Sequence, residues 1–507
     1  MPLSRREFLK HAGLAAAAIA LPDRVLSAAA AGGASSAAPA GRPNVLFVMT
    51  DQQSADLMSC RMGKTYLNTP AMDSLAEGGT LFSRAYSPNP LCMPMRASAF
   101  SGRYPHETRV TRNADPGVDP KEFVCLGTYF RQAGYETAYF GKWHLCYGKN
   151  NTESHGFETL DTNQHDPTAA DKAVRWLGQK HEKPWLLVVS FLNPHNICEF
   201  ARGAQKLSCG DVGPMPPPEK CPPVPANLEP PRGEADTMTL MRRAYHANPL
   251  FPVGDFAPDR WRQHRWGYYR MIELVDAQLG RVLTALRQAG AEDNTAIVFT
   301  SDHGDCAGAH RFNQKTVFYE ESVRVPLIVT QKGRTKKAVC DRLVNTGTDM
   351  LVTMLDFAGI AAPPKLPGRS LHPIALGQTP AEWPSYVVSE NDLCQTGDVD
   401  GVSKPNTQGR MVRSARYKYC LFEKGTLREE LYDLEKDPLE TVNLAADPAC
   451  RATVLDHREM LRQFAAKTSD ATAAAMLAGD VPPRPFQTGE KRQPEGVPPA
   501  GKRRKKA

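Results

Sequence analysis

The sequence predicts an α/β fold: a large, mostly parallel sheet flanked by helices, followed by a smaller antiparallel sheet. Three observations carry this. The run "PNVLFVMTDQQ" is continuously apolar and closes on polar residues, as a central parallel strand covered on both faces requires. Apolar strand runs then alternate with helical patterns as far as "NTAIVFTSDHG". Finally, "TDQQ", "GKWH", "NPH" and "SDHG" each end an apolar run, and the carboxyl ends of parallel strands share the side of the sheet where ligands bind.

The elements follow in order. "SRREFLKHAGLAAAAIALP" joins a basic segment with two adjacent arginines to a short apolar run, Ala12 to Leu21, and matches a twin-arginine export signal over residues 1–30. That run is far shorter than the ~20 residues that span a bilayer. The expectation is a periplasmic or extracellular protein handled by the twin-arginine export machinery, with no stable membrane anchor. Residues 31–42 are a small-residue linker, and the catalytic domain is expected over 43–375.

Within it, "TPAMDSLAEGG" reads as a helix with Thr69 as N-cap and Pro70 in its first turn, and "TLFSRAYS" as a strand. "CLGTYFRQAGYETAYFGKWH" and "KAVRWLGQKHEKPWLLVVSFLNPH" each give a helix and then a strand. In "RMIELVDAQLGRVLTALRQAGAEDNTAIVFTSDHG", Ile272, Val275, Leu279, Val282, Leu283 and Leu286 share one helical face ahead of a buried strand. Between Cys198 and Arg260 the proline-rich "GPMPPPEKCPPVPANLEPPRG" excludes helix and central strand and reads as a loop, either a lid on the substrate pocket or a surface excursion.

Past Pro363, "YVVSEN", "GRMVRSARYKYCLF" and "EELYDLEKDP" suggest a small antiparallel sheet with a turn at Asp437-Pro438, in a C-terminal subdomain over 376–480. Residues 481–507 read as a disordered, basic and proline-rich tail.

A chain of 507 residues with 41% hydrophobic and 23% charged content suits a soluble protein of two units. The formal net charge of +7 is concentrated in "GKRRKKA" and the N-terminal basic residues, so no nucleic-acid partner is expected. Export of a folded chain from a reducing cytoplasm disfavours obligatory bridges among the twelve cysteines. Cys209 and Cys221 flank the proline-rich loop and are the best pair, while Cys340 and Cys420 read as small buried hydrophobes.

Asp51, Gln52, Asp302 and His303 offer two carboxylates, an amide oxygen and an imidazole from two strand ends. Such a set suits a hard divalent cation, calcium or magnesium, and the histidine admits manganese. In "NPLCMPMRASAFSGRYP", Pro94 marks a first helical turn and puts Cys92 at a helix N-terminus, where backbone donors hold anions. A cysteine packed under the helix is the alternative.

Cys92, Pro94, Arg96 and Ser101-Gly102-Arg103, taken with "PNVLFVMTDQQ", "GKWHL", "NPH", "SDHGD", "KTVFYEESVRVPLIV" and "LYDLEKDP", resemble the formylglycine-dependent sulfatases of the alkaline phosphatase superfamily from Pro43 to about Leu444. Met95 stands where that family usually has serine, and Ala99 where it often has leucine.

The resemblance implies an alkaline-phosphatase-like fold and oxidation of Cys92 to formylglycine by a formylglycine-generating enzyme. It further implies attack by the aldehyde hydrate on the sulfur of a sulfate ester, through a covalent sulfated intermediate. Asp51, Gln52, Asp302 and His303, with the modified Cys92, would hold the cation. Arg96 and Lys142 would orient and charge-balance the formylglycine, and His144 would take its second hydroxyl proton. His195 and Lys315 would contact the sulfate, with His195 as general acid.

A sulfated carbohydrate is the expected substrate, since "HANPLFPVGDFAPDRWRQHRWGYYR" supplies aromatic platforms and arginine forks. Within it Tyr269 fits a helix core equally well, and outside it Glu199 could read a sugar hydroxyl. The alternatives are a phosphonate or phosphate diester hydrolase of the same superfamily and a catalytically silent sulfated-glycan-binding protein.

Overall fold

The structure is a computed structural model, and it describes residues 41–204, 207–208, 210–393, 399 and 406–486. The export signal, nearly all of the linker, Cys209 and the chain after residue 486 lie outside the described residues. So does one half of the expected Cys209–Cys221 pair.

In chain order the strands are β1 (Asn44–Asp51), β2 (Gly79–Phe82), β3 (Ala85–Tyr86), β4 (Glu136–Gly141), β5 (Thr159–Asp161), β6 (Trp185–Pro194) and β7 (Thr295–Ser301). They continue as β8 (Leu327–Gln331), β9 (Ala338–Cys340), β10 (Val344–Asn345), β11 (Tyr386–Leu393), β12 (Thr407–Ser414), β13 (Tyr417–Phe422) and β14 (Glu429–Asp433). Eight of them form one sheet in the order β5-β4-β6-β1-β7-β8-β2-β9. Only β8 runs against the others, because it pairs antiparallel with both β7 and β2. At the centre β1 lies parallel between β6 and β7, and all eight of its residues are buried. A strand covered by helices on both faces buries every side chain, and this is why its sequence is an unbroken apolar run.

The alternation read from the sequence is present, with four differences. "TLFSRAYS" is two strands: β2 pairs with β8 and β9, and after Ser83 and Arg84 the chain changes partner, so that β3 pairs with β10. Thr69 holds the N-cap position of the Pro70–Gly78 helix but makes no side-chain cap. Asp276 of a neighbouring helix does that work, accepting from the amides of Ala71 and Met72 at 3.1 and 2.8 Å. The helix carrying the predicted apolar face is longer than its apolar stripe, running from Pro258 to Gln288, and all six predicted face residues are buried in it. The stretch read as a loop contains the helix Asp236–Ala247, whose Met238, Met241 and Tyr245 join a buried cluster with β12 to β14 residues such as Met411 and Tyr432.

The four-stranded antiparallel sheet β11-β12-β13-β14 follows, packed by the helix Arg451–Thr468 through Val454 and Leu461. At the start of the predicted tail, Arg484 exchanges both backbone hydrogen bonds with Gly425. Cys420 is buried as expected, whereas Cys340 is only half-buried, and both are free thiols. Among the described residues no helix is long and apolar enough to cross a membrane.

One polar cluster joins the large sheet's side of the molecule to the antiparallel sheet. His106 Nδ1 lies 2.6 Å from Glu390 Oε1 on β11, and its Nε2 lies 3.1 Å from the Thr468 carbonyl. Nearby, Arg410 of β12 donates to Asp470 at 2.6 and 3.0 Å. Both ring nitrogens of His106 face acceptors, so only the imidazolium satisfies both. Burial opposes that charge, but Glu390 and Asp470 overcome it and push the imidazole up to about 9. A raised folded-state value means the stabilisation is complete below the unfolded value of 6.5 and is lost as pH rises through about 9. Urea unfolding should therefore show a stability loss between pH 7 and pH 10 that is smaller in His106→Gln. At pH 6.5 that variant should itself be less stable by about 1–3 kcal/mol.

Candidate active site

Strands β4, β6, β1 and β7 are neighbours and mutually parallel, so their carboxyl ends lie side by side. β1 ends on Asp51, followed by Gln52. β7 is followed by Asp302 and His303, β4 by Lys142 and His144, and β6 by His195. The helix Cys92–Ser101 brings Cys92 to the same place as its first residue, and Gly102 ends that helix at φ 70°. A Cβ there would lie 2.9 Å from a Leu351 methyl, so the glycine of "SGR" suits both the left-handed backbone and the limited space. Met95 and Ala99, the departures from the family pattern, are buried in the apolar cluster beneath the sheet.

The two carboxylates are divided between two sets of partners. Asp51 Oδ2 accepts from Arg96 Nη2 at 3.1 Å and from Lys142 Nζ at 2.5 Å. Asp302 Oδ2 accepts from Arg96 Nε at 2.9 Å. The Oδ1 atoms face the other way, that of Asp51 lying 3.7 Å from Cys92 Sγ and 3.9 Å from His303 Nε2. Asp302 Oδ1 is 3.5 Å from His303 Nε2 and accepts the amides of Gln52 and His303.

Cys92 Sγ lies 3.2 Å from His303 Nε2 and 3.2 Å from Lys315 Nζ. One ligand atom from each of Asp51, Cys92, Asp302 and His303 lies within 4.8 Å of the others. His303 Nδ1 is 2.9 Å from the Gly304 carbonyl, so in the neutral ring Nδ1 carries the proton and Nε2 offers its lone pair inward. Two buried carboxylate oxygens, an imidazole lone pair and the Cys92 position converging in this way fit a divalent cation.

The charges explain the local electrostatics. Burial works against the Asp51 carboxylate, yet Lys142, His195, Lys315 and Arg96 hold it well below the usual carboxylate range. Asp302 is pushed up to about 6, by burial and then by Asp51. Burial and Asp51 oppose a thiolate at Cys92, but Lys142, Lys315 and His303 bring the thiol well below its ordinary value. Burial, followed by Lys315 and Lys142, holds the half-buried His195 well below its own.

Lys315 reaches the cluster directly, and Lys142 Nζ sits 3.8 Å from Cys92 Sγ. Arg96 donates to the two carboxylates, to Ser190 Oγ at 2.7 Å and to the Lys142 carbonyl. His144 stands at the end of β4 with φ 34°, and among the described residues no hydrogen bond or ion pair joins its ring to the cluster.

Gln52 lies at φ 73°, its Oε1 accepting from Lys315 at 2.9 Å and its Nε2 donating to Asp305 Oδ2 at 2.6 Å. Sequence reasoning missed Asp305, whose only signal was its place two residues after His303. It also missed Ser190 and the Cys198–Gln314 contact at 2.9 Å. Two expectations for sugar recognition change. The Glu199 carboxylate is taken by the Ser208 amide and hydroxyl and by Asn196 Nδ2, and so anchors its own loop. Tyr269 is buried in its helix and receives a hydrogen bond from Arg265 at 2.8 Å.

Known proteins resemble this chain over most of its length. A family model described as "Sulfatase" matches residues 43–360, and one described as "N-sulphoglucosamine sulphohydrolase, C-terminal" matches residues 308–467. The chain is 31% identical over 447 residues to a Delta 4,5-hexuronate-2-O-sulfatase of Bacteroides thetaiotaomicron, covering 85% of this chain and 90% of that one. A solved 2-O GAG sulfatase superposes with a TM-score of 0.73 at 28% identity, covering 88% and 98% of the two chains. A phosphonate monoester hydrolase of Agrobacterium radiobacter gives 0.65 at 26% identity, covering 84% and 96%.

Removing a buried charge's partner strands that charge in a low dielectric. Arg96→Ala should therefore destabilise the metal-free protein by about 3–5 kcal/mol in urea unfolding. A divalent cation held between Asp51 and Asp302 would take over the compensation, so recovery of stability on adding calcium is the accompanying readout.

Proposed function

The chain belongs to the sulfatase family and is a sulfuric ester hydrolase, and on that premise we propose that it removes sulfate from a sulfated carbohydrate of the glycosaminoglycan kind. The observation carrying this is the meeting of Cys92 with two aspartates, His303 and two lysines beside the carboxyl ends of β1, β4 and β7. The substrate class is supported by the relatives, whose names place their action on hexuronate and GAG 2-O-sulfates. The cofactor reading is calcium, with magnesium or manganese as alternatives, and formylglycine at position 92. Conversion of Cys92 calls for a formylglycine-generating enzyme, and residues 1–30 for the twin-arginine machinery and a periplasmic or extracellular destination.

Asp51, Gln52, Asp302 and His303 would hold the cation, which when bound polarises sulfate oxygens and offsets negative charge on the nucleophile. The aldehyde hydrate at position 92 supplies that nucleophile. Lys315, in reach of both Cys92 and Gln52, would grip a sulfate oxygen, and Lys142 would balance charge beside Asp51. His195 would give its proton to the leaving alkoxide. The lysines that depress its imidazole are opposed by the negative charge of an arriving sulfate. His144 would accept the proton that releases sulfate.

A second reading, a phosphonate or phosphate diester hydrolase, is favoured by the likeness to the phosphonate monoester hydrolase. Turnover of an aryl sulfate, an aryl phosphodiester and a 2-O-sulfated GAG disaccharide separates the two. Sulfate release is expected to be the more efficient, and Cys92→Ala should lower kcat about a thousandfold or more. Peptide mass spectrometry across Cys92 should show sulfur and two hydrogens exchanged for one oxygen. Higher efficiency on the phosphodiester, or full activity in Cys92→Ala, would overturn the proposal.

A further inference from the structure

An amide side chain has two ends of opposite chemistry, and which end faces a metal pocket is decided by its neighbours. At Gln52 those neighbours leave no choice. On one side stands the Lys315 ammonium, which can only donate, 2.9 Å from Oε1. On the other stands the Asp305 carboxylate, which can only accept, 2.6 Å from Nε2. All three residues are buried, so water does not relieve a mismatch. Reversing the amide would set an N–H₂ group against an ammonium and a carbonyl oxygen against a carboxylate.

Asp305 is itself fixed. Its Oδ1 accepts from the Ala307 amide at 2.7 Å, and its Oδ2 accepts from the Gln314 amide at 3.1 Å as well as from Gln52. Its own backbone amide donates to Ser54 Oγ, and the same hydroxyl donates to its carbonyl. Ser54 lies two residues beyond Gln52, so one short network clamps the segment after β1 to the loop after β7. The main chain of Gln52 is held as well, its amide donating to Asp302 Oδ1 and its carbonyl accepting from Tyr268 at 2.5 Å. With the main chain fixed, the amide is held at its nitrogen end by Asp305, and its oxygen end is met by Lys315.

We propose that Asp305 is a positioning residue: it binds the Gln52 amide nitrogen and thereby turns the amide oxygen toward Lys315 and the cation site. The inference rests on the metal reading given under Proposed function. It assigns Asp305 a task that neither the backbone nor Gln52 itself performs. In Asp305→Asn one acceptor oxygen is left for three donors, the Ala307 amide on one side and Gln52 Nε2 with the Gln314 amide on the other. Its nitrogen must oppose one of these two sets, so the clamp on the Gln52 amide is loosened either at Gln52 itself or at the loop that holds residue 305.

The test is calcium titration of the metal-stripped full chain by isothermal calorimetry, a readout independent of turnover. Asp305→Asn should weaken calcium binding about tenfold to a hundredfold, the span typical for loss of a partner that orients a metal ligand. Gln52→Ala should weaken it similarly, and adding Asp305→Asn to Gln52→Ala should then cost less than a further twofold. Gln52→Asn keeps an amide but shortens the reach to Asp305, and it should behave as Gln52→Ala does. This variant carries the test if Asp305→Asn does not fold.

Four results would overturn the assignment. The first two are calcium affinity within twofold of wild type in Asp305→Asn and wild-type affinity in Gln52→Asn. The third is an undiminished effect of Asp305→Asn in the Gln52→Ala background, which would place Asp305 in the loop's stability instead. The fourth is a wild-type chain that takes up no calcium, which would remove the metal reading and this inference with it. Retained calcium binding in wild type with a failed double-mutant cycle removes only the inference.

Discussion

The site depends on two aspartates that electrostatics would rather keep apart. Asp51 and Asp302 follow neighbouring parallel strands whose register sets Thr50 opposite Ser301, so the sheet itself brings the carboxylates together in a buried place. Like charges so placed raise each other's energy, and Arg96 offsets this by touching both, through Nε on Asp302 and Nη2 on Asp51. Only a fork of fixed geometry can do so while a third donor reaches Ser190. The arginine thus ties the helix that begins at Cys92 to β1, β6 and β7 in a single set of bonds. It also claims one oxygen of each carboxylate, and the other oxygen of each is turned toward His303.

The backbone around this arrangement is not relaxed. Gln52 and His144 adopt positive φ at the ends of β1 and β4, and in the loop after β7 so do Ala307, His310, Arg311, Gln314 and Thr316. Each such residue without glycine's freedom costs on the order of 1–3 kcal/mol. The loop is held by backbone hydrogen bonds along its length. Cys306 donates to the Gln314 carbonyl, Gly308 to Phe312, His310 to Asn227 and Thr316 to Pro90, while Asp305 gathers two amides. The last of these backbone bonds runs to the segment just before Cys92, so the loop that delivers Lys315 is secured against the helix that delivers the cysteine. Most of the non-glycine residues at positive φ gather here, the others being Arg109, Glu440 and Ser469, and the regular core on either side of the sheet supports them.

Much of this was legible because the architecture writes itself in apolar runs. Buried parallel strands read as continuous runs closed by polar residues, and the site residues stand at those closures: Asp51 after "NVLFVMT", Lys142 after "ETAYFG", His195 after "LLVVSFLNP" and Asp302 after "NTAIVFTS". What the sequence concealed are contacts made across it. Asp305 meets Gln52 from 253 positions away, and nothing local in either residue announces the other. Asp276 caps a helix in place of Thr69 for the same reason, the donor amides and the acceptor being 204 and 205 positions apart. The helix Asp236–Ala247 was hidden by the proline-rich stretch before it. Glu199 looked free to read a sugar only because its loop partner Ser208 could not be seen folding back on it.

The same charges bear on why a chain of this family can share its fold with a phosphonate monoester hydrolase. A sulfate monoester and an ester of phosphonate or phosphodiester type each present a tetrahedral centre with one negative charge. The fixed groups nearest Cys92 are two carboxylates set against Arg96, Lys142 and Lys315, and a divalent cation would raise the positive excess further. Such an excess welcomes any singly charged tetrahedral ester, and field strength alone distinguishes them poorly. Selection between them therefore falls to groups that touch the remainder of the substrate, outside the ring of residues at the strand ends. Those groups belong to the loops rather than to the sheet, and loops are where chains sharing one sheet and one set of strand-end residues are free to differ.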